Sequence, residues 1–313
     1  MKIAFLADPL DSFKVWKDST FAMMVEAQKR GHVIYAFESQ DMAYSDGDIV
    51  ARARQIVLTG KEDANWYRSE EKKLFPLAAF DAIIVRKDPP FDMNYLYSTY
   101  LLDLAEAAGA RIFNRPAALR DYNEKMAIAR FPQFVVPTLV SSDDALLREF
   151  HTQHGDVIFK PLDGMGGAGI FRIMGDGMNM GSVIETLTEN GGRAIMAQKF
   201  IPQIALGDKR VLLINGTVVP YALARIPQKG DIRGNLAVGA QGVAQPLSGR
   251  DREIAETLAL SLAAEGLFLV GLDIIGDWLT EINVTSPTCF REIAAQTGFN
   301  VAEMFFNALD ETI

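Results

Sequence analysis

Apolar and polar positions along the first third of the chain follow a strand–helix–strand order. Buried strands are predicted at the apolar runs 2–7, 32–37, 81–87 and 111–114. Apolar residues at helical spacing predict helices over 18–31 and from about Asn94 to Ala108. This order is typical of parallel strands joined by right-handed connections. We therefore expect an open parallel-sheet domain at residues 1–122, in which the charged segment 41–80 has no assigned element.

After Asn123 the pattern is that of a mixed α+β region. A central unit at 123–200 has predicted strands at 134–140, 157–162, 170–173 and 194–201, with helices near 143–153 and 181–190. A third unit at 201–313 has predicted strands at 209–216, 217–226, 267–276 and 278–285, with a helix at 250–265. The sequence thus predicts an α/β protein with an α+β second half, in three domains.

Composition narrows the class of protein further. With 49% apolar and 23% charged residues, the chain has the balance of a soluble globular protein. No apolar run is long enough to cross a bilayer, and the start lacks the features of a signal peptide. A single cysteine, Cys289, suits a reducing compartment. We expect a cytoplasmic protein that does not bind membranes, and the net charge of −9 argues against nucleic acid as a partner.

Charge is distributed unevenly in the second half of the chain. Residues 193–233 hold seven Lys or Arg and two Asp, whereas residues 251–313 hold eleven acids and two Arg. Simple surface pairing would explain such blocks. They are also what an enzyme needs to hold an anionic substrate beside a bound cation.

Four glycines crowd the segment KPLDGMGGAGI at 160–170. A dinucleotide-binding fingerprint requires a helix directly after the glycines, but the strand-like IFRI follows, and the Gly-Lys-Ser/Thr ending of a P-loop is absent. What remains is a glycine-rich turn between two strands, with Lys160 on the entering strand. This is either a plain hairpin or a loop whose backbone N–H groups and lysine contact phosphate oxygens.

Three oxygen-bearing side chains form a candidate metal site near the end of the chain. Glu281 and Asn283 are two residues apart on one predicted strand and therefore point to the same side. If 267–276 and 278–285 pair as a hairpin, Asp273 lies across from them. Mg²⁺ prefers a few protein oxygens completed by phosphate and water. The alternative is a solvated sheet face, which is disfavoured because an unpaired carboxylate is costly in such apolar strands.

Basic residues at strand ends and in loops are candidates for binding anions. They are Arg86, Lys125, Arg210, Arg225 and Arg233. Arg233 lies two residues before another polar candidate, Asn235. Guanidinium groups suit carboxylates because they donate two parallel hydrogen bonds. One such residue is usually a solvated charge, but several beside a glycine loop and a carboxylate cluster indicate an anion-binding site.

Taken together, these segments resemble ATP-grasp ligases, and most closely the bacterial type of glutathione synthetase. The resemblance covers the whole chain and is carried by KDSTFAM (17–23), VRKDPPFD (85–92), LRDYNEK (119–125), KPLDGMGGAGIFR (160–172), GDKRVL (207–212), ARIPQKGDIRGNLAVG (224–239) and VGLDIIGDWLTEINVTSPT (270–288). The last two are long and specific. One departure is Gly239-Ala240-Gln241, where the family tends to have a Gly-Gly pair and an arginine.

The resemblance implies an ATP-grasp fold preceded by the parallel-sheet domain. It implies an ATP-dependent ligase that joins γ-glutamylcysteine to glycine through an acyl phosphate and releases ADP and phosphate. It also implies Mg²⁺, with Mn²⁺ as an alternative ion, and a homotetramer.

Residue by residue, the resemblance implies four groups of contacts. ATP would be held by Lys125, Lys160, Gly164, Gly166, Gly167, Gln198, Lys199, Phe200, Ile201 and Asp208, the last at the ribose. The metal would be held by Asp273, Glu281 and Asn283. The peptide and glycine would be held by Arg86, Arg233, Asn235, Ser286 and Thr288. Arg210 would stabilise the transferring phosphoryl group and the tetrahedral centre, and Arg225 is the second catalytic candidate.

Two alternatives remain at this stage. An ATP-grasp ligase for another carboxylate and amine, such as a D-alanine–D-alanine ligase, would share the chemistry and differ in the acceptor. A nucleotide-binding regulatory module without catalysis would be expected to lack ligands, whereas the candidate metal ligands, both lysines and Arg210 are present. Cys289 follows Thr288 directly, so it either lies near the substrate or is a small buried apolar residue.

Overall fold

The computed structural model describes residues 1–228, 230, 234, 236 and 239–313. Its first sheet has eight strands: β1 (Lys2–Ala7), β2 (Val33–Phe37), β3 (Met42–Ser45), β4 (Asp48–Leu58), β5 (Tyr67–Ser69), β6 (Lys73–Pro76), β7 (Ala82–Arg86) and β8 (Ile112–Phe113). The α-helices in this part of the chain are α1 (Ser19–Lys29), α2 (Met93–Ala107) and α3 (Pro116–Asp121). The order is β3-β4-β2-β1-β7-β8, with β5 and β6 also paired to β4.

The structure confirms the parallel strands predicted for the first domain. Strands β2, β1, β7 and β8 are parallel, as the strand–helix–strand order indicates. The segment 41–80, which received no assignment, adds four antiparallel strands along the edge. The long strand β4 pairs with β2, β3, β5 and β6, so it organises this whole extension.

A four-stranded antiparallel sheet follows. It contains β9 (Thr138–Ser141), β10 (Val157–Pro161), β11 (Phe171–Ile173) and β12 (Ile195–Lys199), in the order β11-β10-β12-β9, with helices α4 (Asp144–His154) and α5 (Met180–Leu187). The strand predicted at 134–140 begins only at Thr138, because Pro132–Phe134 form a 3-10 helix. The core of this unit is a separate apolar cluster that includes Phe159 and Leu147.

The third sheet is antiparallel and has five strands. They are β13 (Asp208–Ile214), β14 (Thr217–Ile226), β15 (Gln241–Pro246), β16 (Leu269–Ile275) and β17 (Trp278–Asn283), in the order β15-β14-β13-β16-β17. The helices are α6 (Gly249–Ala264), α7 (Phe290–Thr297) and α8 (Val301–Thr312). Helix α6 confirms the predicted helix at 250–265, whereas α7 and α8 were not predicted. Within the described ranges, no helix combines the length and the apolar character needed to cross a bilayer.

Strand register in the third sheet determines which side chains meet. Arg210 on β13 lies opposite Asp273 on β16, and Asp273 lies opposite Glu281 on β17. Asp208 on β13 lies opposite Arg225 on β14. Four neighbouring strands therefore bring carboxylates and guanidinium groups to one region of the sheet.

Candidate active site

A cavity of about 480 Å³ lies between the loops of the first sheet and the two antiparallel sheets. Nearly all the site residues predicted from the sequence line it: Lys125, Lys160, Gly164, Gly166, Gly167, Gln198, Lys199, Phe200, Ile201, Asp208, Arg210, Arg225, Asp273, Glu281, Asn283, Ser286 and Thr288. Residues from 125 to 288 thus converge on one space large enough for a nucleotide and part of a second ligand.

Arg210, Arg225 and Asp273 form a buried ion-pair cluster in the wall of this cavity. Arg210 Nε lies 2.6 Å from Asp273 Oδ1, and Arg210 Nη2 lies 3.1 Å from Asp273 Oδ2. Arg225 Nη2 lies 2.8 Å from Asp273 Oδ2. Burial raises the pKa of Asp273, but the two guanidinium groups outweigh burial and hold the pKa well below its usual range. Asp273 is therefore a permanent anion here.

Asp208 shares Arg225 with Asp273. Its Oδ2 pairs with Arg225 Nη2, while its buried Oδ1 has no hydrogen-bond partner among the described residues. Burial raises the pKa of Asp208 to about 7, against the lowering effect of Arg225, and the negative charges of Asp273 and Glu281 add to the rise. Asp208 is the residue predicted to contact the ribose. Its Oδ1 is available to accept a hydrogen bond from a ligand hydroxyl.

Two buried lysines flank Glu281. Lys125 Nζ lies 3.6 Å and Lys160 Nζ 3.9 Å from Glu281 Oε1, and Lys125 also donates to the carbonyl of Gly164. Burial lowers the pKa of Lys160, while Glu281 raises it and Lys125 lowers it. Two ammonium groups around one carboxylate leave excess positive charge, which suits phosphate oxygens.

The glycine loop 164–169 connects β10 to β11, as the hairpin interpretation predicted. Gly166 and Gly167 have φ values of +66° and +81°, a region that disfavours other residues. A Cβ on Gly164 would lie 2.9 Å from Pro161 Cγ, so the turn also requires close approach. The bare backbone faces the cavity, and this geometry suits N–H contacts to an anion.

An apolar wall lies beside the segment 198–201. Gln198 is buried and donates from Nε2 to Thr138 Oγ1 at 3.1 Å. The guanidinium carbon of Arg172 lies 3.7 Å from the ring centroid of Phe200. The apolar residues of this wall are Ile158, Ile170, Ile201, Ile204, Leu236 and Ile275. These apolar side chains give this part of the cavity the character of a site for an aromatic base.

The predicted metal ligands present only oxygen donors to the cavity. Asn283 donates from Nδ2 to the carbonyl of Gly271 at 3.0 Å, which leaves Oδ1 for a cation. Glu281 retains Oε2, whereas both oxygens of Asp273 already accept from arginine. Over the described part of the chain, no group of three His, Cys, Asp or Glu could hold a metal by itself. The donor set fits Mg²⁺ completed by phosphate and water.

Glu124 is a cavity residue that sequence reasoning missed. Its Oε1 accepts from Val284 N at 2.9 Å, from Thr285 N at 3.1 Å and from Thr285 Oγ1 at 2.8 Å. Burial raises the pKa of Glu124, against these hydrogen bonds. The residue lies inside the LRDYNEK segment next to Lys125, but nothing in the local sequence pattern indicates which backbone groups it meets 160 positions later.

One predicted substrate contact, Arg86, is separate from the cavity lining, and two others are not among the described residues. Arg86 is 3% exposed and donates from Nε to Thr20 Oγ1 at 3.0 Å; it lies below the loop 285–287 and is not part of the cavity lining. Arg233 and Asn235 lie outside the described residues. Cys289 satisfies both interpretations given to it, since it is 1% exposed and still borders the cavity. Burial raises the pKa of its thiol.

The fold and the site define a ligase of the ATP-grasp class. The chain superposes on the crystal structure of a D-cycloserine synthetase with a TM-score of 0.70 at 16% identity, covering 100% of this chain and 99% of the other. It superposes on a RimK-domain ATP-grasp protein from Sphaerobacter thermophilus with a TM-score of 0.61 at 19% identity, covering 98% and 99%. These similarities confirm the predicted fold.

Sequence comparisons identify the family. Residues 1–120 match the N-terminal domain, and residues 124–298 the ATP-grasp domain, of the prokaryotic glutathione synthetase family. The chain is 60% identical to the glutathione synthetase of Ralstonia nicotianae, covering 99% of this chain and 95% of that protein. It is 56% identical to that of Nitrosomonas europaea, covering 100% and 98%. The chain belongs to the prokaryotic glutathione synthetase family.

Proposed function

We propose that this ATP-grasp ligase joins γ-glutamylcysteine to glycine, consuming ATP and releasing ADP and phosphate. The observation that carries the proposal is the single cavity in which two lysines, a glycine loop and the Arg210–Asp273–Arg225 cluster meet. The identity of the two substrates is inferred from the family to which the chain belongs.

Chemistry at such a site requires positioning and charge compensation. The cysteinyl carboxylate attacks the γ-phosphorus of ATP, the bond to the β-phosphate oxygen breaks, and ADP and an acyl phosphate are formed. The amine of glycine then attacks the acyl carbon, and phosphate leaves. No protein nucleophile takes part, so the enzyme works through fixed cations.

Each cation has an assigned task in this proposal. Lys125 and Lys160 contact the ATP phosphates, and the backbone N–H groups of 164–167 cover them. Arg210 Nη1 takes no part in the ion pair with Asp273, so it can contact the transferring phosphoryl group and the tetrahedral centre. Arg225 holds Asp208 and Asp273 in place and adds positive charge behind them.

Magnesium fits the oxygen donors of this site, with Mn²⁺ as an alternative ion. We assign Asp273, Glu281 and Asn283 as its ligands, and Ser286 and Thr288 to the peptide. The ion would neutralise phosphate charge during transfer. An acyl phosphate is hydrolysed if water reaches it, so we assign closure during turnover to the glycine loop 163–169. The second loop that we expect to close, 226–242, lies partly outside the described residues.

The remaining assignments follow from the family and the composition. We propose a cytoplasmic enzyme that works as a homotetramer, with domains at 1–122, 123–200 and 201–313. The three separate sheets support this division.

An isotope experiment tests the acyl phosphate. With ¹⁸O in the cysteinyl carboxylate of γ-glutamylcysteine, attack on phosphorus followed by loss of phosphate moves one ¹⁸O into the released phosphate. We expect one labelled oxygen per phosphate, detected by mass spectrometry. Tripeptide formed with unlabelled phosphate would contradict this route.

A further inference from the structure

Helix α2 is apolar on two opposite sides. Its inner side packs on β3 and β4, and the residues buried there include Tyr95, Leu102 and Ala105. The helix also has six exposed residues, of which five are apolar or aromatic and the sixth is Asn94. A surface helix normally presents charged and polar residues to water, and a helix that is apolar all round is normally buried. The outer side of α2 therefore has the composition of a covered surface.

Four large side chains form one stripe along this outer side. They are Met93, Tyr97, Tyr100 and Leu104, each between 48% and 57% exposed. Their spacing of four, three and four residues places them on one face of the helix. A contiguous exposed stripe of this kind marks an interaction site, whereas single exposed apolar residues such as Leu260 on α6 are common on soluble proteins.

The charges beside the stripe are paired within the chain. Arg120 on α3 lies 2.5 Å from the carboxylate of Asp103, and Arg115 lies 2.9 Å from that of Glu106. Arg120 also lies over the ring of Tyr100, with 5.2 Å between the guanidinium carbon and the ring centroid. The chain carries a net charge of −9, so two copies repel each other over much of their surface. At this face the two acids and the two arginines cancel, which allows two copies to approach closely.

The stripe has the same pattern in both directions along the helix: large apolar, tyrosine, tyrosine, large apolar. When two α2 helices pack antiparallel, Tyr97 of one copy lies opposite Tyr100 of the other, and Met93 lies opposite Leu104. A twofold contact requires a patch that is complementary to itself, and this pattern provides one. An unrelated partner imposes no such symmetry, so the pattern favours a second copy of the chain.

Positions beside the stripe follow the same symmetry. In the antiparallel pair the half-buried Leu96 lies opposite Leu101, so apolar side chains continue the contact on both flanks. Asn94 lies opposite Asp103, whose carboxylate can accept a hydrogen bond from the amide. This polar pair falls at the edge of the stripe, which is the usual place for polar residues in an interface.

We propose that the outer side of α2 forms a twofold contact with α2 of a second copy of this chain, the two helices lying antiparallel. The inference rests on the homo-oligomeric state proposed above, and it names the surface that forms one of its contacts. Tyrosines suit the centre of such a contact, because each buries a large ring while its hydroxyl group reaches a polar partner.

A charge introduced into the stripe tests the contact. Leu104→Glu places two carboxylates in each twofold contact, so we expect the molar mass of the assembly to fall about twofold in analytical ultracentrifugation. Leu260→Glu makes the same change at a leucine that is 75% exposed on α6, and this matched control should keep the native mass. Circular dichroism of both variants checks that the chains are folded.

A pair of cysteines tests the antiparallel direction. In the double variant Met93→Cys/Leu104→Cys the two new thiols of one chain lie about 16 Å apart along α2, too far to form a disulfide with each other. Each lies opposite the other position in the second copy. Mild oxidation should therefore give a cross-linked dimer on a non-reducing denaturing gel, whereas Met93→Cys alone should run as a single chain. The native Cys289 is buried and takes no part.

The outcomes separate this inference from the proposals above. A native oligomer whose mass is unchanged in Leu104→Glu, or cross-linking by Met93→Cys alone and not by the double variant, would overturn the inference alone. A native enzyme that sediments as a single chain of 34.5 kDa would overturn both the inference and the proposed homo-oligomer. An enzyme that changes mass and cross-links as expected but does not ligate γ-glutamylcysteine to glycine would support the inference and overturn the proposed reaction.

Discussion

Arg210 and Asp273 face each other on the neighbouring strands β13 and β16, and the guanidinium group contacts both carboxylate oxygens, at 2.6 and 3.1 Å. Both side chains are almost fully buried. Arg225 reaches the same carboxylate from β14, so one anion is held by two cations. This arrangement fixes the charge and the position of Asp273 before any ligand binds.

Replacing Arg210 should therefore affect both stability and catalysis. Arg210→Met leaves Asp273 with one cation in a buried site, so we expect a loss of about 3 kcal/mol in the free energy of unfolding. Ligation should be lost as well. Urea unfolding and steady-state kinetics measure the two effects. Arg252→Met, which removes an exposed ion pair with Glu256 on α6, should change stability by about 0.5 kcal/mol or less. Equal stability of the two variants would contradict the buried-pair argument.

The glycine loop gives a second prediction. A double replacement of Gly166 and Gly167 by valine puts β-branched residues at positive φ, with a backbone cost of roughly 1–2 kcal/mol per residue. We expect the fold to persist, because the loop is a surface turn, and ligation to be lost. Circular dichroism and phosphate release measure these properties. Gly249→Val, where a Cβ meets no atom within 4 Å, is the control and should remain active. Normal turnover in the double variant would show that the loop does not cover ATP.

Glu124 should act as a positioning residue for the loop that carries Ser286 and Thr288. Glu124→Ala leaves the donors of Val284 and Thr285 unpaired, so we expect about 2–3 kcal/mol lower stability. KM for the dipeptide should rise more than KM for ATP. Glu124→Gln keeps a carbonyl oxygen that can accept the same hydrogen bonds, and it should restore most of the lost activity. If the glutamine variant behaves like the alanine variant, a negative charge is required and positioning is not the explanation.

His32 predicts a pH dependence of stability. Burial, together with the N-terminal ammonium, lowers its pKa below the ordinary value of about 6.5. Below that pH the unfolded chain takes up a proton that the folded chain resists. The stabilising contribution is therefore full above pH 6.5 and is lost as pH falls through the lower, folded pKa. His32→Gln should lose less stability than the native protein between pH 7.5 and 5.5 in urea titrations. Identical slopes would contradict this assignment.

The grouping of Asp273, Glu281 and Asn283 could be predicted because these residues lie on two adjacent strands. The two-residue spacing of Glu281 and Asn283 indicates a shared face, and a hairpin places Asp273 opposite. The register of β16 and β17 has this pairing. Likewise, the apolar runs of β1, β2 and β7 are long enough to indicate buried parallel strands.

Other features depend on contacts that a local pattern does not contain. In strand β4 the buried residues Ala51 and Ala53 alternate with Arg52 and Arg54, but alanine is only weakly apolar and is depleted in strands, so the segment gives a weak strand signal. The ion pair of Arg210 with Asp273 joins residues 63 positions apart and requires the strand register. The hydrogen bonds of Glu124 span an even longer separation. Arg86 was a candidate anion ligand because it is an arginine at the end of a strand. In the structure its side chain is buried beside Thr20 and the loop 285–287.

Phosphate release is the measurement that tests the central claim most directly. ATP and Mg²⁺ are supplied with γ-glutamylcysteine alone, with glycine alone, and with both. We predict rapid release only with both substrates, accompanied by an equal amount of the tripeptide. ATP binding without release under any of the three conditions would contradict the assignment of this chain as a ligase for this pair.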